Sequence, residues 1–145
     1  MQTLSPQYST LLTRKFRVYY SDFIQDSATR KSLLLFTLPR NWEMLTTKIW
    51  LRQTFAAASL TTATCYVING SDLALASESA RSPITQNLLL TATDYSGSVS
   101  SSTHPISEQS ADNDFYLRIV TNSISGGAVF TAGYFDIWII TCRMP

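Results

Sequence analysis

The chain has 145 residues, a formal net charge of +1 and one histidine, enough length for a single domain that buries roughly 70% of the surface its unfolded chain exposes. Near-neutrality excludes a strong global attraction to nucleic acid or to an anionic membrane, and no apolar stretch approaches the ~20 residues of a membrane-spanning helix. Charged residues are 14% and aromatics 12% of the chain, with Ser and Thr about a quarter, a bias that fits strands joined by hydroxyl-rich loops because β-branched and aromatic side chains suit a pleated, half-buried surface.

In chain order, residues 1–13 are polar with scattered Leu and read as an N-terminal arm or a first edge segment, with 14–145 as one domain. Lys15 to Tyr20 alternates, placing Phe16, Val18 and Tyr20 on one face. Asp22 to Lys31 reads as a polar turn region. Ser32 to Leu38 and Leu45 to Phe55 are strands on either side of a corner at Pro39. Asn41 is a good helix N-cap, so a single helical turn through Trp42 to Leu45 competes there, although the β-branched and aromatic residues that follow favour extension. Thr62 to Ile68, ending in Asn69-Gly70, is a further strand, and Leu88 to Thr93 is a short one after Pro83. Ser96 to Asp112 is long, polar and of low complexity, a loop expected to be mobile or to order only against a partner. Asp114 to Thr121 places Phe115, Leu117 and Ile119 on one face. Tyr134 to Cys142 places Phe135, Ile137 and Ile139 inward and Asp136, Trp138, Ile140 and Cys142 outward. Seven or eight such strands predict an all-β, single-domain β-sandwich of jelly-roll type, each strand burying one face between two sheets.

No residue set for bond-breaking chemistry assembles along this pattern. His104 lies in the serine-rich segment just before Pro105, and no serine sits in anything like a nucleophile elbow. Cys65 and Cys142 with a single histidine lack the spacing of a zinc site. Lying in apolar strands, they read as small buried hydrophobes, unpaired in a reducing compartment, with a disulfide as the alternative. Asp112 and Asp114 share a face about 7 Å apart along an extended chain, which invites a glycosidase pair or a calcium site; solvated acids at the start of a strand are the plainer reading. Ser125-Gly126-Gly127 is too short to cradle a phosphate and reads as a turn, as does Asn69-Gly70-Ser71 despite matching the glycosylation tripeptide. The expectation is a protein that is not an enzyme and holds no cofactor or metal.

Charge is divided along the chain. Through Arg52 there are eight Lys or Arg against three acids, +5, and beyond it three Arg against seven acids, −4. Such a split lets the basic part of one copy meet the acidic part of another, or simply interleaves on one folded surface. The positive signal is aromatic. If Ile49 and Leu51 face the core, Trp50 faces out between Lys48 and Arg52, while Trp138 and Ile140 lie opposite an apolar inward face. A strand apolar on both faces is covered on both, and aromatics flanked by cations suit protein interfaces and sugar stacking alike. Lys48, Trp50, Arg52, Trp138 and Ile140 are therefore the candidate contacts for a partner or a second copy, with a small second core beneath a loop as the alternative.

Four short motifs recur in a recognisable order: Leu38-Pro39, Thr54-Phe55 followed by small residues, Tyr66 to Gly70, and Thr131-Ala132-Gly133 leading to Ile137-Trp138-Ile139. That order resembles a family of small tailed-bacteriophage virion structural proteins, over roughly residues 30–70 and 113–142. The resemblance implies a β-sandwich component of a phage particle, a capsid decoration or cement protein or a neck, tail or fibre part, assembling often as a homotrimer and catalysing nothing. The expected function is to bind and stabilise the head shell. The expected partners are the major capsid protein or other virion proteins and further copies of the chain, with no direct nucleic acid and no membrane. The expected location is the virion, after folding in the host cytoplasm. The low-complexity Ser96 to Asp112 and the few glycines depart from the family pattern. A carbohydrate-binding module or a tail or fibre receptor-binding component, using Trp50, Trp138 or Tyr95, stands as the alternative.

Overall fold

Alternating apolar and polar residues settle into hydrogen-bonded ladders when a strand can bury one face, and the long strands of this chain do so in two antiparallel sheets around one core. The computed structural model describes residues 10–27, 29–70, 85–89, 111–122 and 129–143. Among them run eight strands: β1 (Thr10–Tyr19), β2 (Ile24–Ser27), β3 (Arg30–Leu38), β4 (Trp42–Ala57), β5 (Ala63–Asn69), β6 (Thr85–Asn87), β7 (Asn113–Thr121) and β8 (Phe130–Arg143). The helical content of the described residues is one 3₁₀ turn over Tyr20–Asp22, so the fold is all-β. One sheet has the order β1-β8-β4 and the other β2-β3-β7-β5-β6.

The core lies where the inward faces meet. Val18, Ile49, Leu51, Phe55, Phe135, Ile137 and Ile139 from the three-stranded sheet and Phe36, Leu38, Cys65, Val67, Phe115, Leu117 and Ile119 from the five-stranded one form a single buried cluster, each large apolar side chain contributing about 1.5–3 kcal/mol by leaving water. Phe55 stands at its centre, with ring centroids 5.4 Å from Phe130, 6.0 Å from Phe135 and 6.4 Å from Phe23. Leu88 stitches the sheets together through its backbone. Its N–H donates to the Ala63 carbonyl at 2.8 Å, and its own carbonyl accepts from the Phe55 N–H at 3.0 Å.

The inward residues expected of Lys15 to Tyr20, Asp114 to Thr121 and Tyr134 to Cys142 are the ones that pack inside. Elsewhere the structure differs from the expectation. The polar region from Asp22 to Lys31 contains a strand, β2, held to β3 by backbone pairing; its one large apolar residue, Ile24, is 74% exposed, so no alternation announces it. Asn41 caps no helix. It takes φ 63, a left-handed conformation that Asn tolerates, while the Trp42 N–H donates to the Pro39 carbonyl at 3.2 Å and closes a turn straight into β4. A strand stands just before the one expected at Leu88 to Thr93, at Thr85–Asn87; Leu88 is a buried turn residue, and residues 90–93 lie outside the described residues. β1 begins at Thr10, paired with Arg143 of β8 at the edge of its sheet, so of the two readings of residues 1–13 the edge segment, not the arm, describes residues 10–13. Residues 1–9, 96–110 with His104, Tyr95 and Ser125-Gly126-Gly127 lie outside the described residues.

Two of the sequence motifs turn out to be opposite sides of one contact. The β4–β8 register shifts between Gln53 and Ala56, so that Thr54-Phe55 bulges across from the Ala132 to Tyr134 segment. Gly133 sits beneath that bulge at φ +128, and a Cβ there would lie 2.5 Å from the Phe55 ring. A side chain at this position meets both a conformational and a steric barrier.

Candidate functional site

β8 runs between β1 and β4, and the pleat directs alternate side chains of all three strands away from the core. Register aligns these outward residues in rows. Lys15, Trp138 and Lys48 form one; Arg17, Asp136 and Trp50 form the next; Tyr19, Tyr134 and Gln53 follow. On the other side of Trp138 comes the row Thr13, Ile140 and Thr46.

Asp136 organises this face. Its side chain has no exposed surface, although those of Lys15 and Arg17 are 52% and 50% exposed. Arg17 grips it in a fork, Nε donating to Oδ1 at 2.8 Å and Nη2 to Oδ2 at 3.2 Å. From the opposite strand Arg52 Nε donates to Oδ2 at 3.1 Å, and Lys15 Nζ stands 4.0 Å from the same oxygen. One carboxylate on the middle strand thus ties down cations from both flanking strands, through charge-assisted bonds roughly twice as strong as neutral ones. The Arg17 hydrogen bonds hold the Asp136 carboxyl below its ordinary range; burial opposes this, and Arg52 adds to it. Asp136 in turn pushes the Arg17 guanidinium further toward its charged form.

Aromatic rings fill the spaces between the cations. Trp50 and Trp138 lie 6.3 Å apart at 36°. The Arg52 guanidinium lies 3.7 Å over the Trp50 ring, Lys15 Nζ 4.9 Å over Trp138 and Arg17 5.5 Å over Tyr134, all within the range of cation–π attraction. Trp50 remains 42% exposed. Lys15, Arg17, Lys48 and Arg52 against Asp136 give this region +3, and Lys48 makes no ion pair among the described residues. The next acid on the face is Glu43, opposite Cys142 beyond the Ile140 row.

Four of the residues singled out in the sequence, Lys48, Trp50, Arg52 and Trp138, meet on this patch, and the half-buried Ile140 borders it one row away. Sequence reasoning missed Lys15, Arg17 and the hub, Asp136. The alternation of Lys15-Phe16-Arg17-Val18 carried part of that signal, but only the register of strands 119 residues apart reveals the pairing of Arg17 with Asp136.

Of the other sequence candidates, the two cysteines and the two aspartates have structural places. Both cysteines are free and buried; Cys65 sits in the core, where burial pushes its thiol up, and Cys142, on the outer side of β8, is raised by burial and then by Glu43. Asp112 Oδ1 accepts the Arg40 N–H at 2.8 Å, and Asp114 Oδ1 accepts the Thr37 hydroxyl at 2.6 Å. Among the described residues no group of three or more His, Cys, Asp or Glu is placed to hold a metal ion, and no helix is long and apolar enough to cross a membrane. Compared with family models, curated proteins and solved structures, the chain matches none.

Proposed function

We propose that this chain is a structural protein of a bacteriophage particle, a jelly-roll decoration or cement protein that binds the major capsid protein of the head shell as a homotrimer and stiffens it without catalysing a reaction. The observation that carries this reading is the outer face of the three-stranded sheet, where one buried carboxylate holds Lys15, Arg17 and Arg52, two of these cations lie over the indoles, and Trp50 is left open. Side chains already held in place lose little freedom on binding, and Trp and Arg are the residues on which interface energy concentrates. Strand order supports the jelly-roll part. The pairs β1·β8, β3·β7 and β5·β6 nest like rungs of one long hairpin rolled up, and the chain crosses between sheets after β1, β3, β4 and β7.

Particles lacking the protein are expected to assemble but to lose genome more readily on heating or on dilution from salt. Equal resistance of depleted and complete particles overturns the cement reading. The exposed Trp50 beside Trp138 favours a second reading, a carbohydrate-binding or fibre component; retention of a defined glycan on an array, abolished by Trp50→Ala, would replace the first with it.

A further inference from the structure

We propose that the outer face of the three-stranded sheet docks onto a second copy of this chain at the corner where Asp112 and Asp114 stand, so that copies join head to tail around a ring. This rests on the homotrimer part of the function proposed above and names its contact.

The first surface carries unmet positive charge. Arg17 and Arg52 are bonded to Asp136, and Lys15 Nζ stands 4.0 Å from it, but Lys48, across Trp138 from Lys15, has no ion-pair partner among the described residues. Four cations around one carboxylate leave an excess of positive charge that calls for an anion from outside. Polyphosphate fits poorly, since its affinity grows with the number of phosphates neutralised and the patch carries only +3. A neutral sugar would answer none of this charge and would share the indole rings with Arg52 and Lys15, which already lie over them.

The second surface carries unmet negative charge. Asp112 and Asp114 are exposed at the start of β7, each using Oδ1 on a neutral donor, and no Lys or Arg among the described residues lies within ion-pair distance of either. Two exposed carboxylates about 7 Å apart along the chain complement Lys48 and the excess positive charge beside it. A two-fold contact would press the +3 face against its own copy and repel. A contact between two different patches is heterologous, and heterologous contacts close into rings when the rotation per copy divides a full turn, three copies giving a trimer.

Light scattering on the full chain tests this by charge reversal. The wild type should be an oligomer, and Lys48→Glu and Asp114→Lys should each weaken association by about tenfold or more. The chain carrying both substitutions should regain it, with the β-type circular dichroism of all four proteins unchanged. An oligomer indifferent to both single reversals, or not restored in the double variant, overturns this contact and leaves the homotrimer standing. A monomeric wild type removes both. Binding of oligothymidylate or an acidic glycan to an oligomer that ignores the reversals assigns the face to another occupant and overturns the self-contact.

Discussion

Asp136 shows how a single residue sets the character of a surface. An isolated carboxylate on an outward strand position would be solvated and inconsequential, yet this one is fully covered by the cations it orients. Buried charge is tolerated when paired and hydrogen-bonded, and removing one partner strands the others. Asp136→Asn keeps the shape but removes the charge, leaving Arg17, Arg52 and Lys15 crowded without a counterion; it should lower stability by about 2 kcal/mol in urea denaturation. Acid titration gives the sign independently. The Arg17 hydrogen bonds, helped by Arg52 and opposed by burial, hold the Asp136 carboxyl below its ordinary 3.8, so the unfolded chain takes up this proton more readily than the folded one. The stabilisation is complete above about pH 3.8 and is lost as pH falls through the lower folded value. Urea midpoints of the wild type should therefore drop on acidification in that window, and Asp136→Asn, already weaker, should lose most of that dependence.

At the scale of elements, β4 and β8 form the frame, and their irregularities matter as much as their pairing. The bulge at Thr54-Phe55 brings the Phe55 backbone and ring onto Gly133, whose φ of +128 few side chains adopt. Gly133→Ala must place a methyl group 2.5 Å from the Phe55 ring and 2.8 Å from its Cα. Backbone strain and overpacking together should cost about 3 kcal/mol, visible as a lowered melting temperature with the midpoint of Phe55→Leu,Gly133→Ala recovering part of the loss. Sequence alone supplied the stretches with clear period-two alternation, the second half of β1, β7 and β8, because each sets a run of apolar residues on one face, Phe16 and Val18, then Phe115, Leu117 and Ile119, then Phe135, Ile137 and Ile139. It was silent on β2, where backbone pairing to β3 does what side-chain burial does elsewhere, and it misread Asn41, whose side chain suits a helix cap and a left-handed turn equally well. The candidate face was half legible. Alternation places Lys48, Trp50 and Arg52 outward, but which strands flank β8, and hence that Arg17 and Arg52 converge on Asp136, depends on contacts between residues 119 and 84 apart.

The whole molecule combines a near-neutral chain with strongly uneven surfaces. A net charge of +1 conceals a region of +3 beside Trp50 and Trp138 and an exposed pair of acids at the start of β7, and only the fold separates them. With so small a net charge the long-range field is weak, and the proposed self-contact rests on short-range complementarity. If copies associate through these patches, folding and assembly are linked, because a contact made only by the folded chain stabilises it by mass action. The melting temperature of the wild type should then rise with protein concentration across the range in which light scattering shows assembly. For Lys48→Glu it should be nearly independent of concentration over the same range and should coincide with the wild-type value at high dilution, since Lys48 is exposed and makes no ion pair among the described residues. A wild-type melting temperature that stays constant while the oligomer dissociates would mean that association contributes nothing to the fold, and that the cations on this face serve a partner other than the chain itself.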